Sequence, residues 1–397
     1  MKKIAATYLF TPENQLLKNG VLICDPDGTI LDIATTGDNM KEQAGMEYYS
    51  GILVPGFVNT HCHLELSYLK GKIKEKAGMG EFLGQINQLR NNKPEDPDNL
   101  FRIIDRKMWT AGIAATGDIV NSADTIKVKQ NSNIYYHTFI ETFGFHPARA
   151  ERAFNFALKV QRQFKGEKLS SSIVPHSPYS VSEPLFHKVA ENARAKHSLI
   201  SIHNQESKAE TQFFATGDGP VADHFKHNLN LDISHWKPTG ISPLLSILNY
   251  LPAENRLILV HNTFTQKSDI EELKKRRNLE NTFFTLCPNS NLYIENQLPP
   301  ITLFQEENLK VCIGTDSLAS NNELSVLSEL VTLQHHFPEL QLEELLNWAC
   351  LTGAKALGIE DKFGSFEPGK KPGINLITGV DFNTKKLSSK CKLKRLC

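Results

Sequence analysis

Ile52-Leu53-Val54-Pro55-Gly56-Phe57-Val58-Asn59-Thr60-His61-Cys62-His63 is an apolar run that ends on two histidines one residue apart. Residues two apart on a strand point to the same side, so the two imidazoles project together from one strand end, as a metal ion requires. Further along, single polar residues close later apolar segments. His203 follows Leu199-Ile200-Ser201-Ile202, His261 follows Leu257-Ile258-Leu259-Val260, and Asp316 follows Val311-Cys312-Ile313-Gly314-Thr315. Nitrogen and oxygen donors of this kind suit one divalent ion, zinc or iron. One such histidine alone would be an ordinary core residue; the recurrence of the pattern is what carries the reading. His137, His187, His197, His335 and His336 sit in helical or strand patterns that need no site. His224 and His227, in a polar connection after the fifth strand, read as surface residues, with the mouth of a site as the other option.

Around these positions short apolar strands alternate with helical stretches. Eight candidate strands end near His63, Asp118, Glu141, His176, His203, His261, Cys287 and Asp316, with helices expected over 81–91, 99–111, 148–165, 183–196, 268–278, 323–335 and 342–356. This α/β pattern predicts a (β/α)8 TIM-like barrel, for which about 250 residues is typical. A doubly wound open sheet is the alternative. Polar residues drawn from several separated strand ends favour the barrel, which gathers all its strand ends around one mouth. Residues 1–53 instead read as short strands with turns at Lys18-Asn19-Gly20, Asp25-Pro26-Asp27-Gly28 and Gly37-Asp38-Asn39, and residues 364–380 look similar. The expected division is a small β-sandwich built from 1–53 plus 361–397, and a catalytic barrel over 54–360.

Composition narrows the function. Among 397 residues, 44 basic side chains balance 44 acidic ones, so nothing favours nucleic acid or an anionic membrane as partner. The basic stretch Lys390 to Arg395 reads as a solvated chain end. No apolar run reaches the roughly 18 residues of a membrane span. Met1-Lys2-Lys3-Ile4 starts a strand-like segment without the apolar core of a signal peptide. The seven cysteines are scattered and form no CxxC pair, which predicts reduced thiols and a cytoplasmic location. The expected partner is a small-molecule substrate, and a homodimer is left open.

In this order the motifs resemble the amidohydrolase superfamily, in its branch of metal-dependent deaminases and chlorohydrolases. They run from Pro55 to His63 through Pro175-His176-Ser177-Pro178-Tyr179-Ser180, His203-Asn204-Gln205-Glu206, Val260-His261-Asn262-Thr263, Cys287-Pro288-Asn289-Ser290-Asn291-Leu292 and Gly314-Thr315-Asp316-Ser317, to Gly364-Ser365-Phe366-Glu367-Pro368-Gly369-Lys370. Where the family commonly has Ala-Asp after that last turn, this chain has Pro372-Gly373-Ile374-Asn375. The resemblance implies a metal-containing barrel. Members with two metals bridge them by a carboxylated lysine at the end of the fourth strand. Here that strand ends Ile173-Val174-Pro175-His176, so one ion is expected, held by His61, His63, His203 and Asp316.

A divalent ion can supply hydroxide near neutrality. Hydrolysis of an aromatic amine also needs a proton on the ring nitrogen and another on the departing ammonia, and one carboxylic acid can carry both. Glu206, three residues after His203, reaches the same pocket, and His-x-x-Glu at this place resembles the deaminases. Asp316 would help deprotonate the water, and His261 would orient it and stabilise the adduct. Glu65 in His63-Leu64-Glu65-Leu66-Ser67 resembles the aminodeoxyfutalosine deaminases of menaquinone synthesis. That resemblance implies 6-aminodeoxyfutalosine as substrate, with Glu65 and His176 toward the ribose, Arg149 or Arg152 toward the benzoate, and Trp236 stacking from a lid or packing on the rim. The alternatives are a deaminase of adenosylhomocysteine, methylthioadenosine, adenosine or guanine, a chlorohydrolase, or an inactive barrel acting as a binding scaffold.

Overall fold

The computed structural model describes residues 1–35, 37 and 45–397; Asp38 and Asn39 of the expected turn at 37–39 lie outside them. Strands β1 (Lys2–Phe10), β2 (Leu16–Lys18), β3 (Gly20–Cys24) and β4 (Ile30–Thr35) precede β5 (Met46–Pro55) and β6 (Phe57–Cys62). The opening apolar run is therefore two strands. Gly56 divides them, and a Cβ there would collide with the Pro372 carbonyl and the Ala114 methyl. Glycine is the residue that lets two backbones approach this closely.

The strand β6 opens a ring completed by β7 (Ile113–Val120), β8 (Tyr135–Thr142), β9 (Ser170–Pro175), β10 (Ile200–Asn204), β11 (Leu257–His261), β12 (Thr282–Leu286) and β13 (Lys310–Ile313). Neighbours pair in parallel within two four-stranded sheets, β6 to β9 and β10 to β13. Backbone hydrogen bonds join the two sheets at both seams. His203 N donates to His176 O at 2.9 Å, and Thr315 N and Asp316 N donate to His61 O at 2.9 and 3.1 Å. The seams meet where the expected metal ligands lie.

Buried parallel strands need apolar side chains on both faces. Val58, Ala115, Ile119, Phe139, Val174, Ile258, Val260 and Phe283 belong to one buried cluster; a larger one includes Phe101, Ile104 and Met108 from the helix Pro97–Thr110. These three recur at a spacing that makes one helical stripe. Asp96 caps that helix by accepting from Asn99 N at 2.9 Å, with Pro97 in the first turn, which satisfies an otherwise orphaned donor. The helix Glu183–Lys196 falls where the periodicity predicts it. It stops at His197, whose φ of 48° is left-handed. The connection between β10 and β11 is more structured than a polar loop. It holds helices Lys208–Thr216, Pro220–Asp223 and Pro243–Ile247, with a π turn over His224–Asn228.

Both termini share one sheet. β14 (Ile374–Thr378) and β15 (Lys392–Arg395) complete the order β15-β14-β5-β1-β3-β4, with β2 also paired to β1. Ile4, Leu22, Ile30, Leu53, Phe366 and Ile374 form its core. The basic end is not solvated chain. It is strand β15, and the Arg395 guanidinium stacks on the Trp109 ring and donates to Ile113 O at 3.2 Å. All seven cysteines are free thiols. Among the described residues, no helix is long and apolar enough to cross a membrane.

Candidate metal centre

His61 is the penultimate residue of β6, and His63 follows its end as the cap of the 3-10 turn Leu64–Leu69. His63 Nε2 lies 3.2 Å from His61 Nε2 and 3.4 Å from His203 Nε2. Asp316 Oδ1 is 3.6 Å from His61 Nε2 and 3.4 Å from His63 Nε2. Among the described residues, donor atoms of His61, His63 and Asp316 lie within 4.8 Å of one another, and so do those of His61, His203 and His261. A tetrahedron with bonds of about 2.1 Å, the usual length for zinc with imidazole and carboxylate, has edges of about 3.4 Å. The residues present fit one such ion.

His203 and Asp316 are held in place by hydrogen bonds, whereas His61 Nδ1 has no partner among the described residues. His203 Nδ1 bonds to His176 O at 2.9 Å, which leaves Nε2 for the centre. Asp316 Oδ2 accepts from Ser290 Oγ at 2.7 Å and Ser320 Oγ at 2.5 Å, leaving Oδ1 directed inward. Leu64 N, next to His63, donates to Asp118 Oδ1 at 2.8 Å, and Asp118 is in turn ion-paired to the fully buried Lys129 at 2.6 Å. At Gly314, beneath the site, a Cβ would come within 2.8 Å of the His61 Cβ. Asp316, His261, Asn262 and Gln205 adopt left-handed φ values of 54°, 74°, 56° and 47°. Such backbone costs on the order of 1–3 kcal/mol per residue and gathers at functional sites.

Burial pushes His61 and His203 below the usual histidine range, and His261 down to about 3. All three are thus neutral, the form that binds metal. Burial alone would raise the Asp316 carboxyl. The His61 hydrogen bond and the neighbouring His63 and His261 instead hold it well below the ordinary range. Glu206 goes the other way: burial, then the nearby Asp316, Glu210 and Glu295, push it well above. Its Oε1 lies 3.5 Å from His261 Nε2. The shift favours the protonated carboxyl, the form that can donate.

A cavity of about 440 Å³ opens from this centre. His63, His203, Glu206 and Asp316 border it, as do Glu65, His176 and Arg149. Arg152 and Trp236 do not. Arg152 is exposed on the helix Ala150–Gly166, and Trp236 stacks on Phe213 at 4.9 Å beside Phe145 and Phe214. His176 Nδ1 bonds to Ser180 Oγ at 2.7 Å. Glu65 is raised to about 7 by burial, and its oxygens accept from Asn121 N at 2.9 Å and Ser122 Oγ at 3.2 Å. His224 is not a surface residue; it is buried and lines the cavity, whereas His227 is exposed.

Several residues here carry no expectation from sequence. Ser290 and Asn291 lie inside a quoted motif, yet only the structure shows Ser290 holding Asp316 and Asn291 Nδ2 lying 3.4 Å from His261 Nδ1. Arg90, Asn121 and Glu141 also line the cavity. Arg90 ends a helix in an unremarkable polar stretch and gives no sequence signal.

Comparison with known proteins agrees with this geometry. The Amidohydrolase family pattern matches residues 52–394. An adenosine deaminase of Helicobacter pylori is 27% identical over 338 residues, covering 83% of this chain and 79% of that protein. An aminodeoxyfutalosine deaminase of Nitratiruptor is 26% identical over 392 residues, covering 95% and 91%. Among solved structures, the aminofutalosine deaminase of Helicobacter pylori in complex with methylthio-coformycin superposes with a TM-score of 0.80 at 21% identity, covering 97% and 94%. With its eightfold barrel, its inward-facing histidines and a pattern match over most of its length, this chain belongs to the amidohydrolase family.

Proposed function

We propose that this chain is a hydrolytic deaminase of an adenine-type nucleoside, converting 6-aminodeoxyfutalosine to futalosine and ammonia. One observation carries the chemistry: the buried carboxyl of Glu206, its proton affinity raised by burial, sits beside His261 at the wall of the cavity that His63, His203 and Asp316 border. His61, His63, His203 and Asp316 would hold one zinc or iron ion, which when bound supplies the Lewis acidity that makes water nucleophilic near neutral pH.

The chain's own groups do the rest. Asp316 takes a proton from the attacking water, its carboxylate fixed by Ser290 and Ser320. Glu206 gives its proton to the ring nitrogen beside the amino-bearing carbon, so that no ring anion forms. Glu206, now a carboxylate, takes the water proton back from Asp316 and passes it to the departing amine; as ammonia leaves, the adduct's hydroxyl becomes the product carbonyl and its proton restores Glu206. His261, neutral and with Nε2 unpartnered among the described residues, donates or accepts at the developing tetrahedral oxygen. Glu65 and His176 face the ribose. The Nitratiruptor relative, matched over nearly the whole chain, supports the substrate, and the motif around Glu65 agrees with it.

Adenosine itself is the second reading, supported by the 27% identical Helicobacter relative. Ammonia release by purified protein from 6-aminodeoxyfutalosine, adenosine, methylthioadenosine and adenosylhomocysteine tests both. A kcat/KM for 6-aminodeoxyfutalosine at least tenfold above the others is expected. A preference for adenosine would move the assignment to the second reading, and no ammonia from any of them would overturn the deaminase.

A further inference from the structure

Side chains in contact form a path from the metal centre to the mouth of the cavity. His176 packs beside His203 with ring centroids 4.8 Å apart; Phe143 meets His176 edge to face at 6.4 Å; the Arg90 guanidinium lies over the Phe143 ring at 5.6 Å. All four residues line the cavity. Phe143, just past the end of β8, leaves 46% of its surface exposed. A large aromatic side chain left open beside a polar cavity is a surface for another flat ring.

Arg90 is half-buried and forms no ion pair among the described residues. Its Nη2 donates to Asn121 Oδ1 at 3.2 Å, and Asn121 passes its own amide to Glu141 Oε1 at 2.5 Å. This neutral bridge orients the guanidinium and keeps Glu141 one amide away, so most of the five N–H donors stay available. A partly desolvated cation without a carboxylate partner is costly to keep. An incoming carboxylate meets it in a two-bond fork. Arg149 also borders the cavity but is exposed, so water screens it more strongly.

We infer that Arg90, with Phe143 beneath it, is the specificity-determining receptor for an aromatic carboxylate carried on the far end of the substrate. This deepens the nucleoside-deaminase reading and rests on it. Arg90 touches the tail and not the reacting atoms, so its contribution is to binding, and its loss should appear mainly in KM.

The test compares three substrates: 6-aminodeoxyfutalosine, its benzoate methyl ester, and adenosine. Arg90→Gln should lower kcat/KM for the free acid by roughly 10–150-fold, as expected for losing a hydrogen bond to a charged group, mainly through KM. For the ester the loss should stay within about threefold. Arg90→Lys, which keeps the charge and loses the fork, should fall between. Phe143→Ala should lower acid and ester together, and Arg149→Ala should cost the acid less than Arg90→Gln does. Metal content equal to wild type shows that each variant is folded. Equal losses on acid and ester in Arg90→Gln would make Arg90 a structural support for Asn121 and overturn the inference. So would a larger acid-specific loss in Arg149→Ala. If wild type deaminates adenosine but prefers neither acid nor ester, the anion receptor falls while the deaminase stands. If no nucleoside is deaminated, the function itself falls.

Discussion

Two buried histidines on separate strands of the barrel behave in opposite ways. His137, in the first half of β8, has both ring nitrogens occupied, by Ser170 Oγ at 2.8 Å and Ser172 Oγ at 2.9 Å. His261, at the far end of β11, keeps Nε2 without a hydrogen-bond partner among the described residues. Both are neutral because they are buried, His137 lowered to about 4 and His261 to about 3. Burial and charge state therefore do not separate a structural histidine from a functional one. What separates them is whether the surrounding fold has used up their hydrogen-bonding capacity. An unmet buried nitrogen costs on the order of 1–3 kcal/mol, and His61 Nδ1 and His261 Nε2 are two such atoms beside the candidate centre.

The contrast can be broken by mutation. The largest effect is expected at His203, whose free nitrogen faces His63. His203→Ala should lose most bound metal, measured by elemental analysis, and lower turnover on the order of 10⁴-fold or more, because the activated nucleophile goes with it. Retention of both metal and turnover would remove His203 from the centre. Glu206→Gln comes next. It should keep metal and fold but lose roughly 10²–10⁴-fold in kcat, since an amide cannot relay protons; near wild-type kcat would assign the relay to another group.

Ser290→Ala is subtler. It removes one of the two donors that fix Asp316, and supporting residues of this kind typically cost 10–100-fold in metal affinity or activity. Competition with a chelator reads that affinity directly. The smallest effect is at His137. Its lowered value means that the unfolded chain binds more protons between about 6.5 and 4. Stability should therefore rise with pH across that window and be lost as pH falls through it. Denaturant titrations should show His137→Asn with a shallower pH slope, a stability change on the order of 1–3 kcal/mol, and turnover within about threefold of wild type. A drop in turnover matching that of Glu206→Gln would erase the distinction between the two ends of the barrel.

The convergence of His61, His63, His203 and Asp316 was legible because each follows an apolar run that reads as a buried strand, and a polar residue at such an end has little structural reason to be there. The cavity wall was not. Arg90 ends a helix and Asn121 begins a loop, positions where arginine and asparagine are ordinary, and their meeting over Phe143 depends on how two separate β/α units pack. Trp236 is a further case. Its place between the fifth and sixth strands left a lid and packing on the rim equally open, and the choice is made by Phe145, Phe213 and Phe214, scattered along the chain, which surround its ring. Arg395 likewise reads as tail until the Trp109 ring is brought beneath it.

The first and last barrel strands meet at His61 and Asp316, whose backbones are hydrogen-bonded and whose side chains face a common point. About 250 residues of chain separate the two. At the usual 5–20 residues per second of synthesis, the ribosome exposes His61 and His63 roughly 10–50 s before Asp316 exists. For that interval the nascent chain holds one side of the seam without the other, and a chain truncated before residue 316 lacks both Asp316 and the backbone hydrogen bonds that close the ring against His61.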